Sequence, residues 1–302
     1  MSLPGALHTT ARPVDAAALA RSRRRLQAAP QPPWLHGEVA RRMAERLPVV
    51  RLQPAEVLDW HAHRGGGTAL LRQAYPKARV MAVEPAGSAP APAAARWWRR
   101  WRSSVTILGD DGSGPWPGPV QLLWSNMALH LVPDPLALLR QWHARVAVDG
   151  FLMFSTLGPG TLQSLGALYA RAGWPPPMAP LVDMHDLGDM LVEAGFADPV
   201  MDQETLTLHW ADARALLAEL RSLGGNAHPA RAAGLRTPRW RDALLQALQD
   251  LAASDGRPAL EFEIVYGHAF RPAPRPRVAP VTTLGVDTLR EMARAGRRPA
   301  PG

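Results

Sequence analysis

The sequence predicts an α/β fold, a mostly parallel sheet with helices on both faces. Two observations carry this prediction. Short apolar strands alternate with helical stretches between residues 56 and 155, the pattern of a parallel sheet buried on both sides. Acidic residues also stand at or just beyond three strand ends, at Asp59, Glu84 and Asp110, where an open α/β sheet forms its ligand crevice.

The elements follow in order. Residues 1–33 are rich in Pro, Ala and Arg, with one short helix expected over 15–27. Trp34, Leu35, Val39, Met43 and Leu47 recur near a 3.6-residue period, so a helix is expected over 34–47, entered from prolines and stopped before Pro48. Strands are expected at 56–60, 79–83, 105–108, 120–124 and 151–155, the last after a turn at Asp149 and Gly150. The helices between them span 68–74, 91–101 and 134–145. Trp97 and Trp101 in the second of these read as core packing or, less simply, as a base-stacking platform.

Helices follow over 161–171, 186–193, 212–223 and 239–251, with strands at 205–210 and 260–270. Gly195 closes the 186–193 helix as its C-cap, and prolines 175–177 form a rigid connector. From Arg271 the prolines are too frequent for a regular core element. The expected division is therefore an N-terminal basic segment and helix over 1–50, an α/β domain over 51–270 and a flexible basic tail over 271–302.

Composition removes several function classes. The 302 residues include no cysteine, which excludes disulfides, thiolate chemistry and Cys-ligated metals. No run approaches the roughly 18 apolar residues of a membrane span, and no basic stretch followed by an apolar one opens the chain. A cytoplasmic protein without a membrane partner is the expectation. The net charge is +8, with basic clusters at Arg21, Arg23, Arg24 and Arg25, at Arg96, Arg99, Arg100 and Arg102, and at Arg271, Arg275 and Arg277. They read as solvated faces or as a positive surface that steers an acidic partner. Nucleic acid is not indicated, because no zinc-finger spacing, RNP-like strand or helix-turn-helix accompanies the charge.

The turn after the first strand holds the candidate site. A nucleotide-binding α/β domain needs glycines there, so that backbone amides approach the ligand closely. Here Trp60, His61, Ala62, His63 and Arg64 fill the near end, and Gly65, Gly66 and Gly67 stand at the far end. These side chains reshape the pocket or pack locally. Asp59, His61 and His63 alternate as metal ligands can, but the strand ends at Trp60 and no additional ligand is evident, so no metal is assigned. Glu84 at a strand tip can accept both hydroxyls of a ribose. Asp110 or Asp111 can accept from an adenine amine, or each can be an ordinary turn residue. Asn126 lies at the carboxyl edge of the sheet. No Gly-x-Ser-x-Gly elbow, Walker P-loop or His-Glu-x-x-His occurs.

With those positions placed, the chain resembles the class I S-adenosylmethionine-dependent methyltransferases. More closely, it is similar to the malonyl-acyl-carrier-protein O-methyltransferases of biotin synthesis. The matching stretches are V-L-D at 57–59, A-V-E at 82–84, G-D at 109–110, W-S-N-M-A-L-H-L-V-P-D-P at 124–135 and D-G-F-L-M-F-S-T-L-G-P-G-T-L at 149–162. V-D-M-H-D-L-G-D-M-L-V-E-A-G-F-A-D-P-V-M-D at 182–202 and E-I-V-Y-G-H-A-F at 263–270 are similar to that particular family.

The resemblance implies a Rossmann-like sheet of seven strands, the last antiparallel. It also implies a lid from the N-terminal segment and from the region after the fifth strand, about 157–185 and 211–258. The cofactor implied is S-adenosylmethionine, with Asp59, Gly65 and Gly66 facing its methionine portion, Glu84 its ribose and Asp110 its adenine. Asn126 is a candidate for both cofactor binding and catalysis. His185, Asn226 and His268 are lid-side candidates, each also readable as a structural polar residue. The implied partner is an acidic carrier protein bearing the acceptor. Methyl transfer to a carboxylate needs no general base, since the nucleophile is already ionised at neutral pH, so catalysis rests on positioning and exclusion of water. The chain departs from the family at the glycine turn and in an N-terminal tyrosine segment, replaced by P-Q-P-P-W-L-H at 30–36. A carboxyl methyltransferase and a non-catalytic relative that binds a partner are therefore both open readings.

Overall fold

A computed structural model describes residues 11–85, 105–108, 118–252 and 255–274. The helix expected at 91–101, the loop carrying Asp110 and Asp111, and the tail from 275 lie outside the described residues. The chain divides into two units, Met1–Pro272 and Ala273–Gly302, and the fold below is that of the first.

Seven strands form one sheet: β1 (Glu56–Trp60), β2 (Arg79–Pro85), β3 (Val105–Leu108), β4 (Val120–Ser125), β5 (Val146–Leu157), β6 (Ala197–His209) and β7 (Ala259–Phe270). Their order is β3-β2-β1-β4-β5-β7-β6. The first five pair in parallel, and β7 runs antiparallel to both of its neighbours. Strand order reverses between β1 and β4, where Trp60 lies opposite Ser125. A crevice at the carboxyl ends of these two strands is the expected place for a ligand.

The described helices are α1 (Ala16–Ala28), α2 (Trp34–Ala44), α3 (Ala62–Gly65), α4 (Thr68–Ala74), α5 (Pro135–Arg145), α6 (Gln163–Arg171), α7 (Met184–Glu193), α8 (Ala213–Ser222) and α9 (Pro238–Gln249). Asp15, Asp134, Asp183, Asp212 and Thr237 cap α1, α5, α7, α8 and α9 by accepting a first-turn N–H, which satisfies donors that the helix itself leaves unpaired.

The two faces of the sheet bury different helices because side chains alternate along each strand. Val57, Leu122, Phe151 and Met153 join Leu35, Val39 and Met43 of α2 and Leu71 of α4. Leu58, Leu123, Leu152 and Phe154 join Leu139 and Trp142 of α5 and Leu187 and Leu191 of α7. No described helix is long and apolar enough to cross a membrane.

Three elements differ from the sequence expectation. β6 begins at Ala197, eight residues ahead of the expected 205. It pairs only with β7, and its polar side chains are tied by ion pairs instead of burial: Glu204 bonds Arg42 at 2.7 Å and Asp202 bonds Arg46 at 2.7 Å. An edge strand of that kind lacks the apolar alternation that marks strands in a sequence. β5 starts at Val146, running through the expected turn, with Asp149 at φ 62 and a register shift against β4, as at a β-bulge. α2 stops at Ala44, three residues short of the expected end, and a short 3-10 turn over Leu47–Val49 follows.

Gly267 tests how tightly β7 is packed. A Cβ there would stand 2.6 Å from Phe154 Cζ and 2.9 Å from Met201 Sδ. Gly267→Ala is expected to lower stability by about 1–3 kcal/mol, read as a lower urea midpoint with an unchanged slope. An unchanged midpoint would show that the ring can move aside.

Candidate functional site

The site is built around the turn that follows β1. His61 N donates to Val83 O at 2.7 Å, so pairing with β2 extends one residue beyond the strand. His61 then adopts a left-handed conformation, φ 54 and ψ 49, which costs a side-chain-bearing residue about 1–2 kcal/mol. Its buried ring stacks on Trp60, with centroids 4.9 Å apart and planes at 27°, and its Nδ1 accepts from Arg64 Nη2. One helical turn, α3, replaces the expected open loop. Gly66 ends it at φ 70, a conformation glycine adopts without strain. At Gly67 a Cβ would run into the indole Nε1 of Trp124, so α4 reaches the sheet only with glycine there.

Asn126 fastens this turn to the rest of the molecule. It is fully buried. Its Nδ2 donates to His36 O at 2.7 Å and to Gly65 O at 2.6 Å. Its Oδ1 accepts from Ser155 Oγ at 2.6 Å. One amide thereby joins α2, α3, β4 and β5. The His36 ring adds a second tie, Nδ1 to Arg64 O at 3.0 Å, and the His63 ring a third, Nε2 to Ala29 O at 2.8 Å.

Two carboxyl groups stand beside the turn. Asp59, near the end of β1, is fully buried; its Oδ2 accepts from Thr68 Oγ1 at 2.6 Å, while its Oδ1 has no partner among the described residues. Burial, with the charge of Glu84 adding to it, pushes the Asp59 carboxyl up to about 7 against the pull of Thr68 and Arg72. Glu84, near the end of β2, accepts the His63 N–H at 2.6 Å through Oε1. Burial raises its pKa too, opposed by that hydrogen bond and by the charges of His63 and Arg64.

The other ionisable groups at the turn are basic. Arg64 is 1% exposed, and its Nε and Nη1 have no partner among the described residues. Desolvation lowers it to about 10. His36 is pushed down to about 4, and His61 and His130 well below the usual range, all by burial first. These three imidazoles are therefore neutral at pH 7. Arg12 spends its guanidinium on backbone carbonyls, those of His130, Val132 and Pro180. His130 and Arg12 also line a neighbouring cavity of about 250 Å³, walled by Leu157, Leu165, Tyr169 and Phe262.

Asp59, Gly65, Gly66, Glu84 and Asn126 thus gather at one turn, and Asp110 lies outside the described residues. His185 and His268 stand elsewhere. His185 is exposed at the start of α7, bonded to Asp183 at 2.9 Å. His268 is half-buried in β7, opposite Met153 of β5 and Val200 of β6. Asn226 lines the cavity and donates to Pro176 O at 2.6 Å. Sequence analysis places Arg64 in the turn without a role of its own and gives none to His36, His130 or Ser155. Of these only Ser155 carried a signal, a polar residue at the end of an apolar strand facing the strand that holds Asn126.

The strand order, the reversed β7 and the acidic tips of β1 and β2 define the class I methyltransferase fold. Among solved structures the chain is similar to the YcgJ protein from Bacillus subtilis, at 10% identity and a TM-score of 0.53 over 77% of this chain and 98% of that one. No family model matches the chain. It is 38% identical to a malonyl-acyl-carrier-protein O-methyltransferase of Laribacter hongkongensis, over 80% of this chain and 84% of the relative. It is 40% identical to one of Halorhodospira halophila, over 78% and 81%. The chain belongs to the malonyl-acyl-carrier-protein O-methyltransferase family.

That family is one of S-adenosylmethionine-dependent enzymes. The residues present fit such a cofactor: the buried Asp59 Oδ1 is an acceptor without a donor, one strand away from the acidic tip of β2.

Two measurements probe this site. Asn126→Ala would strand the carbonyls of His36 and Gly65, and is expected to cost roughly 2–4 kcal/mol in denaturant titration; a variant as stable as the native chain would remove Asn126 from this role. Asp59 gives a pH signature. Its carboxyl titrates from 3.8 in an unperturbed chain to about 7 in the fold. Between these values the folded state holds a proton that the unfolded state has released, so the Asp59 contribution to stability is fully present below 3.8 and is lost as pH rises to about 7. The slope is at most about 1.4 kcal/mol per pH unit. Asp59→Asn is expected to flatten the melting temperature between about pH 5 and pH 8; an equally steep decline in the variant would assign the effect to another group.

Proposed function

We propose that this protein transfers a methyl group from S-adenosylmethionine to the free carboxylate of a malonyl thioester borne by an acidic carrier protein. Membership of the family supports the reaction class. The observation that carries it to this chain is the grouping of Asp59 and Glu84 near the carboxyl ends of the adjacent strands β1 and β2, beside the switch point of the sheet.

When bound, S-adenosylmethionine supplies an electrophilic methyl group on a sulfonium. The protein's own part is binding and orientation. In this reading Asp59 accepts from the amino group of the methionine portion, beside Gly65 and Gly66. Glu84 accepts from the ribose hydroxyls and Asp110 from the adenine. Asn126 is a positioning residue, holding the turn against β4. No side chain has to take a proton from the acceptor, since a carboxylate is ionised at neutral pH. The apolar walls formed by Leu157, Leu165, Tyr169 and Phe262 exclude water and accommodate an acyl thioester arm, in a region read as the lid. His185 and His268 remain candidates for the lid side. The exposed Arg21, Arg24 and Arg25 of α1 steer the acidic carrier toward the cavity, which Arg25 also lines.

A second reading has one observation in its favour. His61 and His63 stand in the turn where the family has glycine, and both are tied to other parts of the chain. The protein would then be a non-catalytic relative that binds a partner.

Incubation with S-adenosylmethionine and malonyl-loaded carrier protein decides between them. Gain of one methyl group on the malonyl moiety, by mass spectrometry, is the expected result. S-adenosylhomocysteine is expected to bind in calorimetry, and Glu84→Ala to weaken it at least about tenfold. A folded protein that gives neither heat nor product would establish the second reading.

A further inference from the structure

Arg64 is the buried group that the proposed reaction leaves unused. The guanidinium carries five N–H donors and cannot shed its charge at neutral pH. Among the described residues only Nη2 is bonded, to His61 Nδ1, and the three N–H groups on Nε and Nη1 meet no acceptor. At 1% exposure it has no solvent to compensate, and an unpaired buried cation is among the costliest features a fold can carry.

The groups facing it do not supply a counter-ion. His61, His36 and His130 are neutral, and Arg23 of α1 adds a second positive charge. Glu84 is the acid whose field reaches Arg64, but no hydrogen bond joins them and Glu84 Oε1 is taken by the His63 N–H. His130 ties this cluster to the cavity: its pKa is lowered in part by Arg64, and it lines the cavity wall.

We propose that Arg64 binds a carboxylate of a bound ligand, taking over with one side chain the anion-binding work that backbone amides of a glycine turn would do. A planar carboxylate with two acceptor oxygens matches the guanidinium fork. The proposal rests on the methyltransferase reading, which provides two sources of that chemistry: the α-carboxylate of the cofactor's amino-acid end, and the carboxylate of the acceptor.

Calorimetry on Arg64→Met, which keeps the length of the side chain without the charge, separates the outcomes. Two ligand pairs differ in the relevant group, the first of them in the neighbouring ammonium as well. S-adenosylhomocysteine is compared with 5′-methylthioadenosine, which lacks the amino-acid end, and malonyl-pantetheine with acetyl-pantetheine, which lacks the free carboxylate. The variant is expected to lose about 10- to 100-fold in affinity for the carboxylate-bearing member of one pair, and to bind the other member as the native protein does. The pair that responds names the source. Without ligand, Arg64→Met is expected to melt no lower than the native protein, because it removes an unpaired buried charge. A purely structural Arg64 would instead lower the melting temperature and leave both pairs unchanged, which overturns the proposal. Equal losses for both members of each pair overturn it too. Should Arg64→Met fail to fold, Arg64→Gln serves in the same four titrations. If the native protein binds none of the four ligands, the methyltransferase reading fails and takes the proposal with it.

Discussion

The site depends on a single buried amide. Asn126 has two N–H donors and spends both on backbone carbonyls, of His36 in α2 and Gly65 in α3, while its oxygen takes the Ser155 hydroxyl. Ser155 in turn accepts from Met127 N through both Oγ and O. Buried polar groups hold a fold to one arrangement when every one of them is satisfied, and here the satisfied set links two strands, a helix and the turn. Pairing of β1 with β2 sets Asp59 against Glu84, and the Asn126 link, with the His63 N–H bond to Glu84, sets the turn that carries Arg64 against them.

Around the fixed turn the electrostatics divide in two. Asp59 and Glu84 are the acids, both raised by burial. Arg64 is a cation set among Arg23 and three neutral imidazoles. Each set retains a group without a partner among the described residues, Asp59 Oδ1 and the Nε and Nη1 of Arg64. Buried polar atoms in folded proteins nearly always find partners. Orphans of opposite sign at one turn are therefore what a ligand with both an ammonium and a carboxylate, or two ligands each with one, would complete.

Much of this architecture was legible in the sequence. The order of strands and helices follows from apolar alternation, and the acidic tips from Asp59 and Glu84 ending their runs. What was hidden had no periodic signature. β6 is an edge strand whose Asp202 and Glu204 are held by arginines, so its polar composition reads as loop. α3 is a single turn of four residues, shorter than any helical period can mark. The burial of Arg64 depends on α1, α2 and β4 converging from three parts of the chain, and nothing next to it in sequence announces that. The same holds for His36, whose carbonyl and ring both reach the turn from a helix that reads as an ordinary amphipathic one.

The loss of glycine in the turn has a narrower meaning in three dimensions than in one. His61 occupies the left-handed conformation that a glycine would take there without cost, so the path of the backbone is that of a glycine turn even though the residue is not. The strain is offset by the stack on Trp60 and the bond to Arg64. What has changed is the lining. The His61 ring turns back toward Trp60, the His63 ring reaches the end of α1, and Arg64 is drawn inward, each fixed by a contact within the protein. On the proposal made for Arg64, a turn that keeps its shape while exchanging bare backbone for a held cation would recognise an anion by a side chain instead of by backbone amides.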